Sequence, residues 1–246
     1  MGTVRILPAG DTGMVVEFGE SVDPATNRMV HQFCTSFASL AAPGVSEVVP
    51  TYRSALIYYD PLVTSWEDIA SRVTGVLAEA HTSLPARPRV MEIPTAYGGD
   101  RGPDLEYVAR YTGLEPDEVI GLHSAPRYLV YMIGFTPGYP YFGGLDERLV
   151  VPRLKNPRLR TPAGAVGIGG NQTGIYTIPS PGGFHIIGQT PLRLFDPTSD
   201  RPFLLKAGWL VRFRPVGSEE YERIERAISD GHYTPQVHEE REGSQS

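Results

Sequence analysis

The density of glycine in the C-terminal half limits the possible folds of this chain more than any other feature. Twelve of its 27 glycines lie between Gly134 and Gly188. Short apolar runs such as RYLVYMI, GIYTI and FHIIG alternate with these glycines. Glycine destabilises helices and is common at the bulges and tight bends of sheets, which argues against a helical domain. The pattern instead predicts a closed or partly closed β-barrel.

Within this region, the segment MIGFTPGYPYFGGL at 132–145 is both apolar and interrupted. Its glycines and prolines prevent a regular helix or an unbroken strand. Its aromatic residues are Phe135, Tyr139, Tyr141 and Phe142. Because glycine and proline restrict the backbone path, the rings would lose little conformational freedom when a ligand binds. We predict that they line a concave binding surface, with a core corner of the barrel as the alternative.

The N-terminal part of the chain predicts a small α/β domain. Two helix starts are marked, since Asp23 precedes Pro24 as a typical N-cap and Ser65 with Asp68 forms a capping box. Strands are expected at 4–7, 14–18, 45–49 and 55–59. Strands interleaved with two helices are typical of a split βαβ sandwich.

A segment rich in proline and arginine at 83–89 predicts a linker. Beyond it, two short helices are expected at 103–110 and 116–122, β-structure from Tyr128 onward and a terminal helix at 218–228. We therefore predict an α+β protein with three parts: a domain at 1–84, a β-barrel domain at 85–236 and a disordered tail at 237–246.

Composition and charge argue against several classes of protein. The net charge is -6, and the 22 basic residues form no dense run, which is unlike a protein whose main partner is nucleic acid or an anionic membrane. Cys34 is the single cysteine, so an intrachain disulfide and a thiolate-rich zinc site are excluded. No apolar stretch approaches the length of a membrane span or of a secretory leader. We expect a cytoplasmic enzyme or enzyme subunit.

The glycine run VGIGGNQTGIY at 166–176 raises the question of a nucleotide-binding loop. Its glycine spacing fits neither a dinucleotide fingerprint nor a phosphate loop, and GIYTI continues as a strand where those motifs require a helix. A glycine-rich β-turn is one interpretation. The other is an anion-binding nest of backbone N–H groups with Asn171 and Gln172 as neutral donors.

The histidines and the cysteine give no self-sufficient catalytic arrangement. No two of the six histidines have metal-ligand spacing, so no metal site is predicted. His123 and His185 are each more often structural than catalytic in such contexts. No G-x-S-x-G elbow occurs, and Cys34 lies on the apolar face of a predicted helix, where a buried inert thiol is expected.

Several longer blocks carry a resemblance to a known family. They are GDTGMVVEFG, EVVPTYRSALIYYDP, YGGDRGPDL, LHSAPRYLVYMIGFTPGYPYFGGL, PRLKNPRLRTPAGAVGIGGNQTGIYTIPSPGGFHIIGQTPLRLFDP and LKAGWLVRF. In this order, from Gly10 to Phe213, they resemble the allophanate-hydrolase-subunit-1 family. That family is also called the carboxyltransferase subdomain C/D or kinase-inhibitor family, and it includes the B-type subunits of 5-oxoprolinase.

The resemblance implies a fold and a functional setting. It implies a small ferredoxin-like N-terminal domain followed by a cyclophilin-like β-barrel. It also implies an ATP-dependent 5-oxoprolinase that opens 5-oxoproline to glutamate, with ATP bound by the assembled complex. The implied partners are a homologue of allophanate hydrolase subunit 2 (the C-type 5-oxoprolinase subunit) and a lactam-utilisation protein (the A-type 5-oxoprolinase subunit). A subunit of urea carboxylase or allophanate hydrolase type and a histidine-kinase inhibitor are the alternatives.

We place the candidate site in the barrel, where the corner at 134–144, the turn at 166–174 and SPGGFH would meet. Gln172 is the predicted donor to the substrate or its anionic intermediate, and His185 the predicted aid to proton transfer. Arg158 or Arg160 would hold a carboxylate, although both have an alternative interpretation as exposed loop charges. The predicted substrate-binding residues are Tyr139, Tyr141, Phe142, Arg158, Gly169, Gly170 and Asn171. The chain alone is expected to be inactive.

Overall fold

The computed structural model describes residues 4–79 and 89–239. Contacts between Cα atoms divide the chain into two compact units, Met1–Ala86 and Arg87–Ser246. The predicted domain boundary after residue 84 and nearly all of the predicted linker lie outside the described residues. Each unit is described separately below.

The N-terminal unit is a four-stranded antiparallel sheet with two helices. The elements in chain order are β1 (Arg5–Pro8), β2 (Gly13–Glu17), α1 (Pro24–Ser39), β3 (Val45–Pro50), β4 (Ser54–Tyr59) and α2 (Trp66–Glu79). The strand order in the sheet is β1-β2-β4-β3. The buried faces of both helices join the inward-facing residues of β2 and β4 in one hydrophobic core.

Both predicted helix starts are present in this unit. The Asp23 carboxylate accepts hydrogen bonds from the backbone N–H groups of Ala25 and Thr26, each at 2.9 Å. The Ser65 hydroxyl donates to Asp68 at 2.8 Å and accepts from the Asp68 backbone N–H at 3.1 Å. These bonds satisfy donors that a helix N-terminus leaves without intrahelical partners, so local sequence chemistry determines where each helix begins.

The connectivity of this unit differs from the predicted ferredoxin-like domain. Strand β4 lies between β2 and β3 and is antiparallel to both, so β2, α1 and β3 form the expected split βαβ unit. The chain order is β-β-α-β-β-α, however, whereas a ferredoxin-like domain has the order β-α-β-β-α-β. The edge strand β1 precedes the split unit instead of following it. The ferredoxin-like assignment is therefore not confirmed.

The second unit is built largely of β-strands, as the glycine pattern predicts. Its helices are α3 (Leu105–Thr112), α4 (Pro116–Ser124) and α5 (Ser218–Ser229), close to the predicted positions. Its strands are β5 (Arg89–Tyr97), β6 (Tyr128–Gly134), β7 (Tyr139–Gly143), β8 (Arg158–Thr161), β9 (Ala165–Gly169), β10 (Gln172–Ile175), β11 (Ser180–Gly182), β12 (His185–Gln189), β13 (Leu210–Pro215) and β14 (Val237–Glu239).

These strands form a nearly closed barrel. The main sheet has the order β10-β9-β12-β5-β13-β6-β7, and its two outer strands, β10 and β7, lie alongside each other. Strands β8 and β11 form a separate antiparallel pair. The barrel prediction is confirmed at this level, because the curled sheet brings its own edges together.

The barrel core is a single aromatic and aliphatic cluster that α3 and α4 cover. Tyr128, Phe142 and Phe213 meet in its centre, with ring centroids 5.4–6.0 Å apart. At the C-terminus, β14 pairs with β5 in antiparallel register. Residues 237–239 therefore form a strand where a disordered tail was predicted, and residues 240–246 lie outside the described part of the chain.

Candidate functional site

Three glycine-rich segments of the barrel meet at one surface depression of about 270 Å³. The segments are the β6–β7 connection, the start of β10 and the chain between β11 and β12. The described residues that line the depression are Phe135, Tyr139, Tyr141, Arg153, Pro157, Gln172, Tyr176, Pro181, Gly182, Gly183 and Phe184. This arrangement is the meeting of corners that the sequence predicted.

Aromatic rings form the walls of the depression. The Tyr139 ring makes edge-on contacts with Phe135, Tyr141 and Tyr176, at centroid distances of 5.5, 5.3 and 6.0 Å. Tyr176 in turn contacts Phe184 edge-on at 6.3 Å. Burial raises the pKa of the Tyr176 hydroxyl, so this wall stays neutral at physiological pH. The concave aromatic surface predicted from the sequence therefore exists for three of its four proposed rings: Phe135, Tyr139 and Tyr141.

Phe135 differs from the other rings of the depression in its backbone conformation and its exposure. Its backbone has a φ of 60°, a left-handed conformation that is unfavourable for a bulky side chain. Its side chain is nevertheless 69% exposed, so burial in the core does not compensate for the strain. Strained residues are concentrated at ligand-binding positions. Phe135 lines the depression, so its ring is available to a ligand there.

The glycines of these segments make room for the aromatic walls. A Cβ atom at Gly174 or Gly182 would collide with the hydroxyl of Tyr139 or Tyr176. A Cβ atom at Gly169 would lie 2.5 Å from Cδ1 of Phe184. Each of these glycines therefore lets an aromatic side chain approach the backbone closely.

Arg153 and Gln172 form the polar end of the depression. Arg153 Nη2 donates to Gln172 Oε1 at 2.9 Å, and the guanidinium carbon lies 5.1 Å from the centre of the Phe184 ring. The neighbouring backbone holds Arg153 in place, since Val151 accepts from the Gly170 N–H at 2.7 Å and the Leu154 N–H donates to Gly183 at 2.8 Å. Gln172 thus lies where it was predicted, with its carbonyl oxygen directed to a guanidinium.

Arg158, the predicted carboxylate-binding residue, has a structural partner instead. Its Nη2 lies 2.7 Å from Oδ1 of Asp104, and its Nη1 donates to the Phe184 carbonyl at 3.3 Å. The other Asp104 oxygen accepts from the Ile186 N–H at 2.5 Å. Arg158 and Asp104 therefore join α3 to β8 and β12. Arg160, the alternative candidate, is exposed on β8 and does not line the depression.

His185 and Phe142 also lie outside the depression. The His185 ring is buried, stacks on Tyr107 at 4.5 Å and has Nε2 3.0 Å from the Pro152 carbonyl, to which it donates. Phe142 is 4% exposed and belongs to the barrel core. The reason is strand alternation, since Tyr139 and Tyr141 share one face of β7 and Phe142 occupies the other.

The backbone of the turn between β9 and β10 already uses one of the donors of the predicted anion nest. Gly170 has a φ of 64°, which supports the prediction of a glycine-dependent turn, but its N–H donates to Val151. Gly169 is buried and pairs with Gln172 across the hairpin. Asn171 is exposed at the turn and does not line the depression. One backbone donor that the nest interpretation needs is therefore already used, and the rest of that interpretation stays a prediction.

Three side chains, Tyr97, His123 and Thr173, are joined by hydrogen bonds beneath the β9–β10 hairpin. This group was not identified from the sequence. His123 Nδ1 lies 2.7 Å from the Tyr97 hydroxyl, and His123 Nε2 lies 2.8 Å from the Thr173 hydroxyl. The Thr173 hydroxyl donates its proton to the Gly167 carbonyl, so it accepts from Nε2–H, and Nδ1 accepts from Tyr97. Burial lowers the pKa of His123 to about 3, so the ring stays neutral.

Two further observations concern what the described chain contains. Residues 4–79 and 89–239 hold no group of three or more His, Cys, Asp or Glu side chains placed for a metal ion. Within the same ranges, no helix has both the length and the apolar character that crossing a membrane requires.

The sequence of the chain is similar to several curated proteins. The chain is 40% identical to the B-type 5-oxoprolinase subunit of Bacillus subtilis over 89% of its own length and 96% of that protein. It is 39% identical to the protein of the same name in Escherichia coli O157:H7, over 87% and 97% of the two chains. Urea amidolyase of Lachancea kluyveri is 25% identical over 96% of this chain but only 14% of its own length.

Solved structures show the same architecture. The structure of TTHA0988 superposes with a TM-score of 0.75 at 36% identity, and the match covers 88% of this chain and 41% of that one. A conserved uncharacterized protein from Pyrococcus horikoshii is 44% identical over 88% of this chain and all of its own, with a TM-score of 0.53. Residues 4–205 match the family described as carboxyltransferase domain, subdomain C and D. The chain therefore belongs to the carboxyltransferase subdomain C and D family, as its sequence blocks indicated.

Proposed function

We propose that this chain is the B-type subunit of an ATP-dependent 5-oxoprolinase, which opens 5-oxo-L-proline to L-glutamate. The observation that carries the proposal is near full-length similarity to three proteins named as B-type subunits of 5-oxoprolinase. The third, from Haemophilus influenzae, is 39% identical over 88% of this chain and 100% of its own. Identity at this level over whole chains supports a shared role more strongly than a shared fold alone.

The chemistry of the reaction explains why such a protein would work within a complex. A lactam amide is neutral and resists hydrolysis, so its carbonyl has to be activated, and ATP supplies that activation in the assembled enzyme. The depression offers aromatic walls, a guanidinium and a carboxamide. Its described lining residues include no nucleophile paired with a base. We therefore assign binding and orientation of the substrate to this chain, and ATP to the complex.

The proposed partners are a homologue of allophanate hydrolase subunit 2 (the C-type 5-oxoprolinase subunit) and a lactam-utilisation protein (the A-type 5-oxoprolinase subunit), in the cytoplasm. Gln172 remains the proposed hydrogen-bonding residue, with Tyr139 and Tyr141 as walls. His185 is proposed only to support β12, because its ring is stacked and its Nε2–H is directed to a backbone carbonyl.

Reconstitution tests this proposal. The chain is purified alone and after co-expression with its two proposed partners, and 5-oxoproline-dependent release of ADP and glutamate is measured. We expect no turnover by the single chain and robust turnover by the complex. Absence of turnover in a stable complex of all three chains, or full activity of the single chain, contradicts the proposal.

A second candidate is a carboxyltransferase role in urea metabolism, which the similarity to urea amidolyase supports. That similarity is weaker and covers a small part of much longer proteins. The same reconstituted complex discriminates the two roles. Transfer of the carboxyl group from carboxybiotin to urea, with release of biotin and without 5-oxoproline turnover, would favour this candidate.

A further inference from the structure

Arg153 is the only charged side chain among the described residues that line the aromatic depression. The remaining lining residues are aromatic, proline and glycine, apart from the carboxamide of Gln172. An anion that enters the depression therefore meets one positive charge beside aromatic rings. Arg153 is exposed, so its guanidinium is accessible to an anion from solvent.

Among the described residues, no carboxylate forms an ion pair with Arg153. In the ranges 4–79 and 89–239, the ion pairs include Arg158 with Asp104 and Arg214 with Glu92, but none includes Arg153. Two of its contacts in the described part of the chain are the Gln172 carbonyl oxygen and the face of Phe184, both of which are neutral. Because Arg158 already bonds to a carboxylate and Arg153 does not, Arg153 is the arginine suited to an incoming anion.

Arg153 is also held in advance of binding. One of its five N–H donors is directed to Gln172, and its guanidinium carbon lies over the Phe184 ring, 5.1 Å from the ring centre. Gly169 permits this stack, since a Cβ there would lie 2.5 Å from the Phe184 ring and 3.0 Å from Arg153 Cγ. A guanidinium that is held in place loses less side-chain entropy when it binds a planar carboxylate.

The size of the depression and its aromatic walls limit the ligand groups that could lie beside the carboxylate. Its volume of about 270 Å³ lies just below the roughly 300–1,000 Å³ of pockets that take drug-sized molecules. Tyr139, Tyr141 and Tyr176 provide ring edges and faces for a small, flat, largely apolar body. A small ring that carries one carboxylate fits this volume, these walls and this charge.

We infer that Arg153 binds the carboxylate of a small cyclic acid in this depression and thereby selects acids over neutral lactams. The acid would be 5-oxoproline, an identification that rests on the function proposed above. The ring would lie against the tyrosine wall with its amide toward Gln172. This assignment gives Arg153 the role that sequence reasoning assigned to Arg158.

Kinetics of the assembled complex test the inference. For Arg153→Gln, we expect KM for 5-oxoproline to rise about tenfold, the effect of losing one hydrogen-bonded charge partner. The inhibition constant of 2-pyrrolidinone, a lactam without a carboxylate, should stay unchanged as a competitor. Arg160→Gln is the matched control, because it removes the same charge from an exposed site outside the depression, and it should alter neither constant.

A binding measurement on the single chain separates this inference from the proposed function. 5-Oxoproline and 2-pyrrolidinone are titrated into the wild-type chain and Arg153→Gln, and NMR shifts of the chain are followed. Preferential binding of 5-oxoproline that Arg153→Gln abolishes supports the inference even if the complex proves not to hydrolyse 5-oxoproline. Equal affinity of wild type and variant for 5-oxoproline, or equal effects of Arg153→Gln on both lactams in the complex, overturns it. So does an inactive complex whose wild-type chain binds no 5-oxoproline.

Discussion

Substitution of Gly169 by alanine tests the conclusion that glycine accommodates the aromatic walls. The new Cβ would lie 2.5 Å from Cδ1 of Phe184, where ordinary van der Waals contact begins near 3.4 Å. The ring would have to move by about 1 Å in a closely packed site. Overpacking of this kind costs about 1–3 kcal/mol of unfolding free energy. Because Arg153 stacks on the same ring, Gly169→Ala should also weaken binding of 5-oxoproline.

The assay is chemical denaturation of the single chain, followed by far-ultraviolet circular dichroism. Gly121→Ala in α4 is the control, since its Cβ would meet no atom within 4 Å and alanine favours the helix by about 1 kcal/mol. We expect Gly169→Ala to destabilise the chain and Gly121→Ala to stabilise it.

A double-mutant cycle identifies the cause of the loss. Phe184→Val removes the ring atoms that the new Cβ would strike, so Gly169→Ala should cost clearly less in that background than in the wild type. Strict additivity of the two substitutions would mean that the ring is not what Gly169 accommodates. A neutral or stabilising Gly169→Ala in the wild-type background would refute the packing argument altogether.

Three other outcomes follow from individual side chains. Burial lowers the pKa of His123 from the ordinary histidine value of 6.5 to about 3. Between these two pH values, His123 therefore binds a proton more readily in the unfolded chain than in the folded chain. Unfolding free energy should therefore fall as pH falls through this window, by up to about 1.4 kcal/mol per pH unit, and His123→Gln should lack this component in denaturation measured at several pH values. Asp104→Ala should cost about 1–3 kcal/mol, because it leaves the Ile186 N–H and Nη2 of Arg158 without their acceptor, and most of this loss should persist at high salt. Burial raises the pKa of the Cys34 thiol to about 12, so iodoacetamide at pH 8 should label Cys34 only after unfolding, and rapid labelling of the folded chain would contradict its placement in the core.

Local chemistry allowed the sequence to predict much of the secondary structure. The starts of α1 and α2 depend on contacts within four residues, Asp23 with Thr26 and Ser65 with Asp68. The barrel was predictable because glycine at this density is compatible with bends in a sheet and incompatible with helices. The family was identifiable because its blocks extend over most of the chain in a fixed order.

The position of the edge strand in the N-terminal unit could not be predicted from local sequence chemistry. The sequence predicted its four strands and two helices, and a split βαβ unit is present. Which strand occupies the edge beside β2 depends on pairing between distant segments. Hydrophobic periodicity does not report that pairing, so only the structure shows that β1 occupies this edge.

Only the tertiary structure decided which residues form the candidate site. Arg153, Arg158 and Arg160 lie close together in the sequence, and spacing gives no reason to prefer one. Asp104, more than 50 residues away, pairs with Arg158 at 2.7 Å, while Gln172 and Phe184 hold Arg153 without neutralising it. A side chain's role depends on its partners, and barrel closure brings those partners together from distant parts of the chain.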